Sequence, residues 1–215
     1  MSPSETAPPS AARSATLRIS VPGNLLLAGE YSVLEEGGLG IGVAVDVRAV
    51  ATRAPGPSRI TGIMPGKTIQ VPGDDGVLGG AAEFLWGTTL PDRLGSITID
   101  TSPFHYADGR KKGFGSSAAA TVALTAMWLA FTGATRTQPS PDEVFELAVR
   151  AHRAGQHGYG SGYDVASSTF GGFTLFSGGE RPHAEPVTLP WLEGLSLFPG
   201  VKAVRTTDAV GRYRE

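Results

Sequence analysis

Lys111-Lys112-Gly113-Phe114-Gly115-Ser116-Ser117-Ala118-Ala119-Ala120 is the stretch on which the reading of the fold depends. Two glycines flank one apolar residue, two serines follow, and a helix-forming run extends from Ala118 to Phe131. Serine is a favoured N-cap, because its hydroxyl accepts a bond from an N–H of the first turn that has no other partner. Glycine permits a tight backbone and lets amides approach a bound anion. The start of a helix adds partial positive charge, so the unit suits phosphate. Lys111 and Lys112 raise the local potential, or are simply solvated surface. The same pattern also fits an ordinary glycine turn capping a core helix.

The sequence has 215 residues, room for one large domain or two small ones, and 40% of them are hydrophobic, enough for a core. Charged residues are 18% and the formal net charge is -2, which argues against a nucleic-acid surface. No cysteine is present, so disulfides and thiolate metal sites are excluded. No apolar run reaches the roughly 18 residues of a membrane span. A soluble α/β protein of the cytoplasm is the expectation, with no membrane and no nucleic acid among its partners.

On either side of the loop the chain alternates short strands and helices. Met1 to Ser14, rich in Ser, Pro and Ala, is expected as a disordered tail, with one domain over residues 15–215. Thr16 to Val21 alternates as a strand, Pro22-Gly23-Asn24 reads as a turn, and Leu25 to Ala28 as a short buried run. Gly40 to Val50 predicts a β-branched strand; Ile60–Ile63 and Lys67–Val71 predict weaker ones around a Pro-Gly turn. Gly76 to Trp86 has helical spacing with Val77, Ala81, Phe84 and Leu85 on one face, and Ser96 to Thr101 predicts a strand with Ile97 and Ile99 inward. Ser140-Pro141-Asp142-Glu143 is a strong helix start, combining N-cap serine, proline in the first turn and early acids. After that helix comes a glycine-rich loop, Gly155 to Gly162, opening a short helix with Asp164 in its first turn. Gly171-Gly172 ends that helix, and strands are expected at Phe173–Phe176 and Lys202–Thr206.

Three blocks stand in order: Val21-Pro22-Gly23-Asn24-Leu25-Leu26-Leu27-Ala28-Gly29-Glu30-Tyr31-Ser32-Val33, the Gly-Phe-Gly-Ser-Ser-Ala-Ala loop, and Gly160-Ser161-Gly162-Tyr163-Asp164-Val165-Ala166. Together they resemble the GHMP kinases, the small-molecule kinases that include galactokinase, homoserine kinase, mevalonate kinase and phosphomevalonate kinase. Ala28 to Tyr31, Lys112 to Ser117, and His152 and Gln156 ahead of the third block look most like phosphomevalonate kinase.

The resemblance implies an α/β (α+β) fold, the ribosomal protein S5 domain 2-like N-terminal domain of that family, with the C-terminal domain missing. It implies transfer of the γ-phosphoryl of ATP, with Mg²⁺, to phosphomevalonate or a similar acceptor of isoprenoid precursor synthesis. Mevalonate, homoserine or a sugar are the alternative acceptors, and an inactive nucleotide-binding module the alternative function. Matched position by position, Lys112, Gly113, Phe114, Gly115, Ser116, Ser117 and Ala118 would surround the nucleotide phosphates, with Ser117 reaching the metal. Asp164 falls on the catalytic carboxylate, although a helix N-terminal acid stabilised by the dipole would look the same. Asn24, Glu30, Tyr31, Ser161 and Gly162 would meet the acceptor, or Glu30 would tie down its own loop. His152 and His157 would touch ligand or serve packing. Asn24 stands where mevalonate and phosphomevalonate kinases usually present lysine, and His152-Arg153 where mevalonate kinases carry a metal-binding glutamate. A homodimer, or a separate chain bringing the C-terminal domain, is the partner expected.

Overall fold

The computed structural model describes residues 16–71, 73–74, 76–133, 138–192 and 194–199. The expected N-terminal tail and the strand at Lys202–Thr206 lie outside these residues. Strands β1 (Leu17–Ala28), β2 (Leu39–Ala54), β3 (Arg59–Met64), β4 (Lys67–Val71), β5 (Ser96–Asp100), β6 (Phe173–Ser177) and β7 (His183–Val187) form one sheet. Helices α1 (Val77–Trp86), α2 (Ser116–Thr132), α3 (Pro141–Gly155) and α4 (Tyr163–Phe170) complete a mixed α/β fold.

The long β2 strand organises the sheet. β1 pairs along one of its edges; on the other, β5 pairs with Val50–Ala54 and β6 with Leu39–Val43. β3 runs parallel to β5, and every other pairing is antiparallel. Alternate residues of β2 and β5 are buried, among them Ala49, Ala51, Ile97 and Ile99, each 0% exposed. That alternation is what a sheet covered on one face requires.

α2 carries buried residues from Ala118 through Leu129 on nearly every side and touches β1, β2, β5 and the other three helices. A helix enclosed all round must be apolar all round, and the run of Ala118, Ala119, Ala120 and Ala123 lets its neighbours approach closely. α3 is amphipathic instead. Its start has the expected chemistry: Ser140 accepts from Glu143 N (3.2 Å), and Glu143 accepts from Ser140 N (2.8 Å), closing a capping box.

Three differences from the sequence reading lie in the sheet and α1. Pro22-Gly23-Asn24 is no turn: β1 continues through it with a register shift at Pro22/Gly23. A proline is tolerated there because β1 is an edge strand, where its missing N–H breaks no ladder. A Cβ on Gly23 would sit 2.5 Å from Phe114 O and 2.7 Å from the Phe104 ring, so only glycine lets the 111–115 loop dock on this edge. Phe84, expected on the core face of α1, is 44% exposed and lies against the Arg150 guanidinium. β7 went unread because Pro186 interrupts its pattern; it is tolerated on the outer strand of the sheet.

Candidate active site

The glycine loop reaches α2 without a serine cap. Gly115 is the N-cap, in the left-handed region at φ 69° and ψ 42°, and no side chain caps the helix. Ser116 and Ser117 therefore occupy the first turn rather than the cap that their hydroxyls suggested. The first helical bond runs from Ala119 N to Gly115 O at 3.1 Å. Among the described residues no protein acceptor meets the amides of Ser116, Ser117 and Ala118. Open amides at a helix N-terminus form an anion site by geometry and by dipole.

Two backbone bonds fix the loop: Lys112 N donates to Phe104 O (2.9 Å) and Asn24 N to Phe114 O (3.0 Å). Phe114, 6% exposed, anchors it in the core, so its side chain serves packing. The Lys112 ammonium donates to Pro103 O at 2.8 Å, close to the Tyr106 ring.

Asn24, expected to face an acceptor, is 2% exposed. Its Nδ2 donates to Ser168 Oγ at 2.9 Å and more loosely to Gly115 O at 3.4 Å. The amide is thus engaged within the protein, tying β1, the loop and α4 together. Glu30 and Tyr31 are exposed on the turn after β1. Ser161 is 8% exposed, and its hydroxyl faces Tyr163 N at 3.4 Å.

Asp164 opens α4, with Oδ1 accepting from Val165 N at 2.9 Å and a side chain 21% exposed. Its Oδ2 lies 3.9 Å from His152 Nδ1. The other ring nitrogen, Nε2, lies 3.5 Å from Ser117 Oγ. His152 is 2% exposed, so a single buried imidazole spans the start of α2 and the start of α4. The amide-lined helix start and the carboxylate consequently share one side of the domain. Beside Asp164, burial pushes the Tyr163 phenol well above its ordinary range, with the carboxylate charge adding to it.

Arg153, next to His152, holds this region in place. Nε donates to Gly160 O (3.0 Å), one terminal nitrogen to Ser161 O (3.0 Å) and Gly179 O (2.8 Å), the other to Glu180 O (2.8 Å). Burial holds its guanidinium below the usual arginine range. A hollow of about 300 Å³ lies here, between the 33–34 turn, Arg153, the 158–161 loop and Gly179-Glu180. A larger groove, about 930 Å³, runs along β1 beside α2, α3 and the end of α4, yet the loop and Asp164 do not line it.

For Mg²⁺ the test is the donor set. Ser117 Oγ and the Asp164 carboxylate, one at each nitrogen of the buried imidazole, are hard oxygen donors of the kind that Mg²⁺ prefers. Among the described residues there is no group of three or more His, Cys, Asp or Glu that could hold a metal unaided. The set therefore fits a cation that arrives with phosphate oxygens and keeps water. Ser168 and the clamping role of Arg153 were not found from the sequence; neither sits in a motif, and only the folded chain brings their partners near.

Residues 96–172 match the family described as GHMP kinases N terminal domain. The chain is 33% identical over 189 residues to the phosphomevalonate kinase of Streptomyces sp. (strain CL190), covering 74% of this chain and 49% of that protein. It is 46% identical over 65 residues to the phosphomevalonate kinase of Saccharolobus solfataricus, covering 30% and 19%. It thus spans about half the length of the first relative and less of the second. Among solved structures it resembles Streptococcus pneumoniae phosphomevalonate kinase in complex with phosphomevalonate and AMPPNP, at a TM-score of 0.62 and 21% identity over 77% of this chain and 50% of the other. The matched segment begins with β5 and holds the loop, the buried imidazole and Asp164, and so the chain carries a GHMP kinase N-terminal domain.

Proposed function

We propose that this domain forms the phosphate- and carboxylate-bearing half of an ATP-dependent kinase site whose acceptor is phosphomevalonate or a similar small alcohol. The observation that carries the reading is the pairing of open amides at Ser116–Ala118 with Asp164 on one side of the domain, bridged by His152. Similarity to phosphomevalonate kinases supports the acceptor class. Phosphoryl transfer needs positioning and charge neutralisation more than covalent help. The amides and helix dipole supply fixed positive potential at the phosphates. Mg²⁺ bound with the nucleotide would add the remaining neutralisation, with Ser117 as a protein oxygen ligand. Asp164 orients the acceptor hydroxyl and can take its proton. The second wall of the cleft comes from another domain, on the same polypeptide, on a separate chain or on a second copy. The proposed use of ATP fits a reaction in the cytoplasm.

A second reading, a nucleotide-binding module without turnover, is favoured by one feature: the Asn24 amide, where the resemblance to mevalonate and phosphomevalonate kinases implies lysine, is spent on Ser168 and the loop. Incubation with Mg·ATP and phosphomevalonate, mevalonate, homoserine or sugars, followed by ADP release, separates the two. Turnover that Asp164→Asn reduces at least a hundredfold supports the kinase. Nucleotide binding with no transfer, even after addition of the C-terminal half of the Streptomyces relative, supports the module. Absence of both binding and transfer defeats each.

A further inference from the structure

His152 is the one buried titratable side chain at the site to which the reaction above gives no task. The residue is 2% exposed, and each ring nitrogen faces a different partner. Nδ1 looks at Asp164 Oδ2 (3.9 Å), and Nε2 at Ser117 Oγ (3.5 Å). Gln156 Nε2 lies 3.5 Å from that same Nε2. A neutral imidazole has one donor and one acceptor nitrogen. A carboxylate can only accept, and at 3.9 Å its charge, rather than a direct hydrogen bond, favours the hydrogen on Nδ1. Nε2 is then the acceptor, consistent with the hydroxyl and the carboxamide N–H that converge on it.

The consequence falls on Ser117. A hydroxyl rotor is free unless something claims its proton. Directed at His152 Nε2, that proton leaves the oxygen lone pairs free for another partner. A hard cation needs those lone pairs. Partners behind a metal-binding group that fix its orientation typically contribute 10–100-fold to metal affinity.

We propose that His152 is a positioning residue that accepts a hydrogen bond from the Ser117 hydroxyl at Nε2, with Nδ1–H toward Asp164, and so presents the serine oxygen to the cation of a bound nucleoside triphosphate. This rests on reading the site as one for metal-bound ATP. The arrangement also couples the phosphate side to the carboxylate side, since the ring cannot reorient for one partner without leaving the other.

Two measurements test it on the full chain. In a long-range ¹H–¹⁵N spectrum of the imidazoles, His152, assigned by its loss in His152→Gln, should show the Nδ1–H form, and Ser117→Ala should move its Nε2 resonance. Calorimetric titration with AMPPNP, with and without Mg²⁺, should show His152→Leu losing about tenfold of the Mg²⁺-dependent gain while metal-free affinity stays within about twofold. His152→Gln, whose carbonyl can accept the same proton, should recover most of that gain. His152→Leu combined with Ser117→Ala should bind no worse than Ser117→Ala alone. An Nε2–H form, additive losses in the double variant, or equal losses with and without Mg²⁺ would overturn the proposal. If the unaltered chain binds no nucleotide, the kinase reading fails by itself, and the imidazole spectrum still decides whether the Ser117–His152–Asp164 arrangement exists.

Discussion

At position 115 the backbone and the neighbouring side chain impose the same requirement. The residue lies at φ 69°, and a Cβ there would run into the Asn24 carboxamide. Gly115→Ala should therefore cost about 1–2 kcal/mol from the left-handed backbone alone, with the clash added. A lowered urea midpoint and weaker AMPPNP binding in the same variant are the expected results; unchanged binding would mean that the loop shape is not what the anion needs. Asn24 is the other side of this contact. Asn24→Ala would leave the Ser168 hydroxyl and the Gly115 carbonyl short of a buried partner, a loss of about 1–3 kcal/mol. Equilibrium unfolding measures it directly, and Asn24→Ala combined with Ser168→Ala should cost less than the sum, because the two side chains share one bond.

At the scale of the element, legibility in the sequence followed how local the cause was. α3 could be read because Ser140, Pro141 and Glu143 carry their own chemistry within four positions, and the structure closes that box. The strand and helix cores of β5 and α2 could be read for the same reason. The continuity of β1 through Pro22-Gly23-Asn24 could not, since its cause is a loop some ninety residues away that bonds Asn24. The candidate site divides in the same way: Asp164 and the glycine loop are motifs, while the bridging geometry of His152 needs three elements packed together. α4 offers an element-scale prediction. Burial raises the Tyr163 phenol in the folded state above its ordinary value of about 10, so the folded protein holds its proton where the unfolded chain gives it up. That stabilisation is complete below about pH 10 and declines as pH rises further, by at most about 1.4 kcal/mol per unit. Urea midpoints measured from pH 9 to pH 11.5 should fall, and Tyr163→Phe should flatten the slope; an equal slope in the variant would assign the alkaline loss to other groups.

For the whole molecule the question is what keeps the carboxylate side from drifting away from the amide side, because α4 is short and its N-cap, Gly162, has no side chain to offer. Arg153 answers it. One guanidinium at the end of α3 holds two carbonyls of the loop before α4 and two of the turn between β6 and β7. That turn is itself tied to the 35–38 turn, through Gly37 N to Gly178 O (3.1 Å), Gly178 N to Gly38 O (2.8 Å) and Glu180 N to Glu36 Oε2 (3.1 Å). The planar fork can serve several acceptors at once in a way that an ammonium cannot. Arg153→Met should cost about 2–3 kcal/mol, since bonds to a charged donor contribute more than neutral ones and some of these carbonyls can turn to water. For a domain of this size that lowers Tm by about 5–10 °C. Arg153→Lys should recover less than half. Hydrogen exchange should localise the effect: faster exchange in the first turn of α4 and in residues 178–180, with β2 and β5 unchanged. The position of Asp164 depends on this clamp only if the loosening is local, so a uniform rise in exchange across the sheet would count against it.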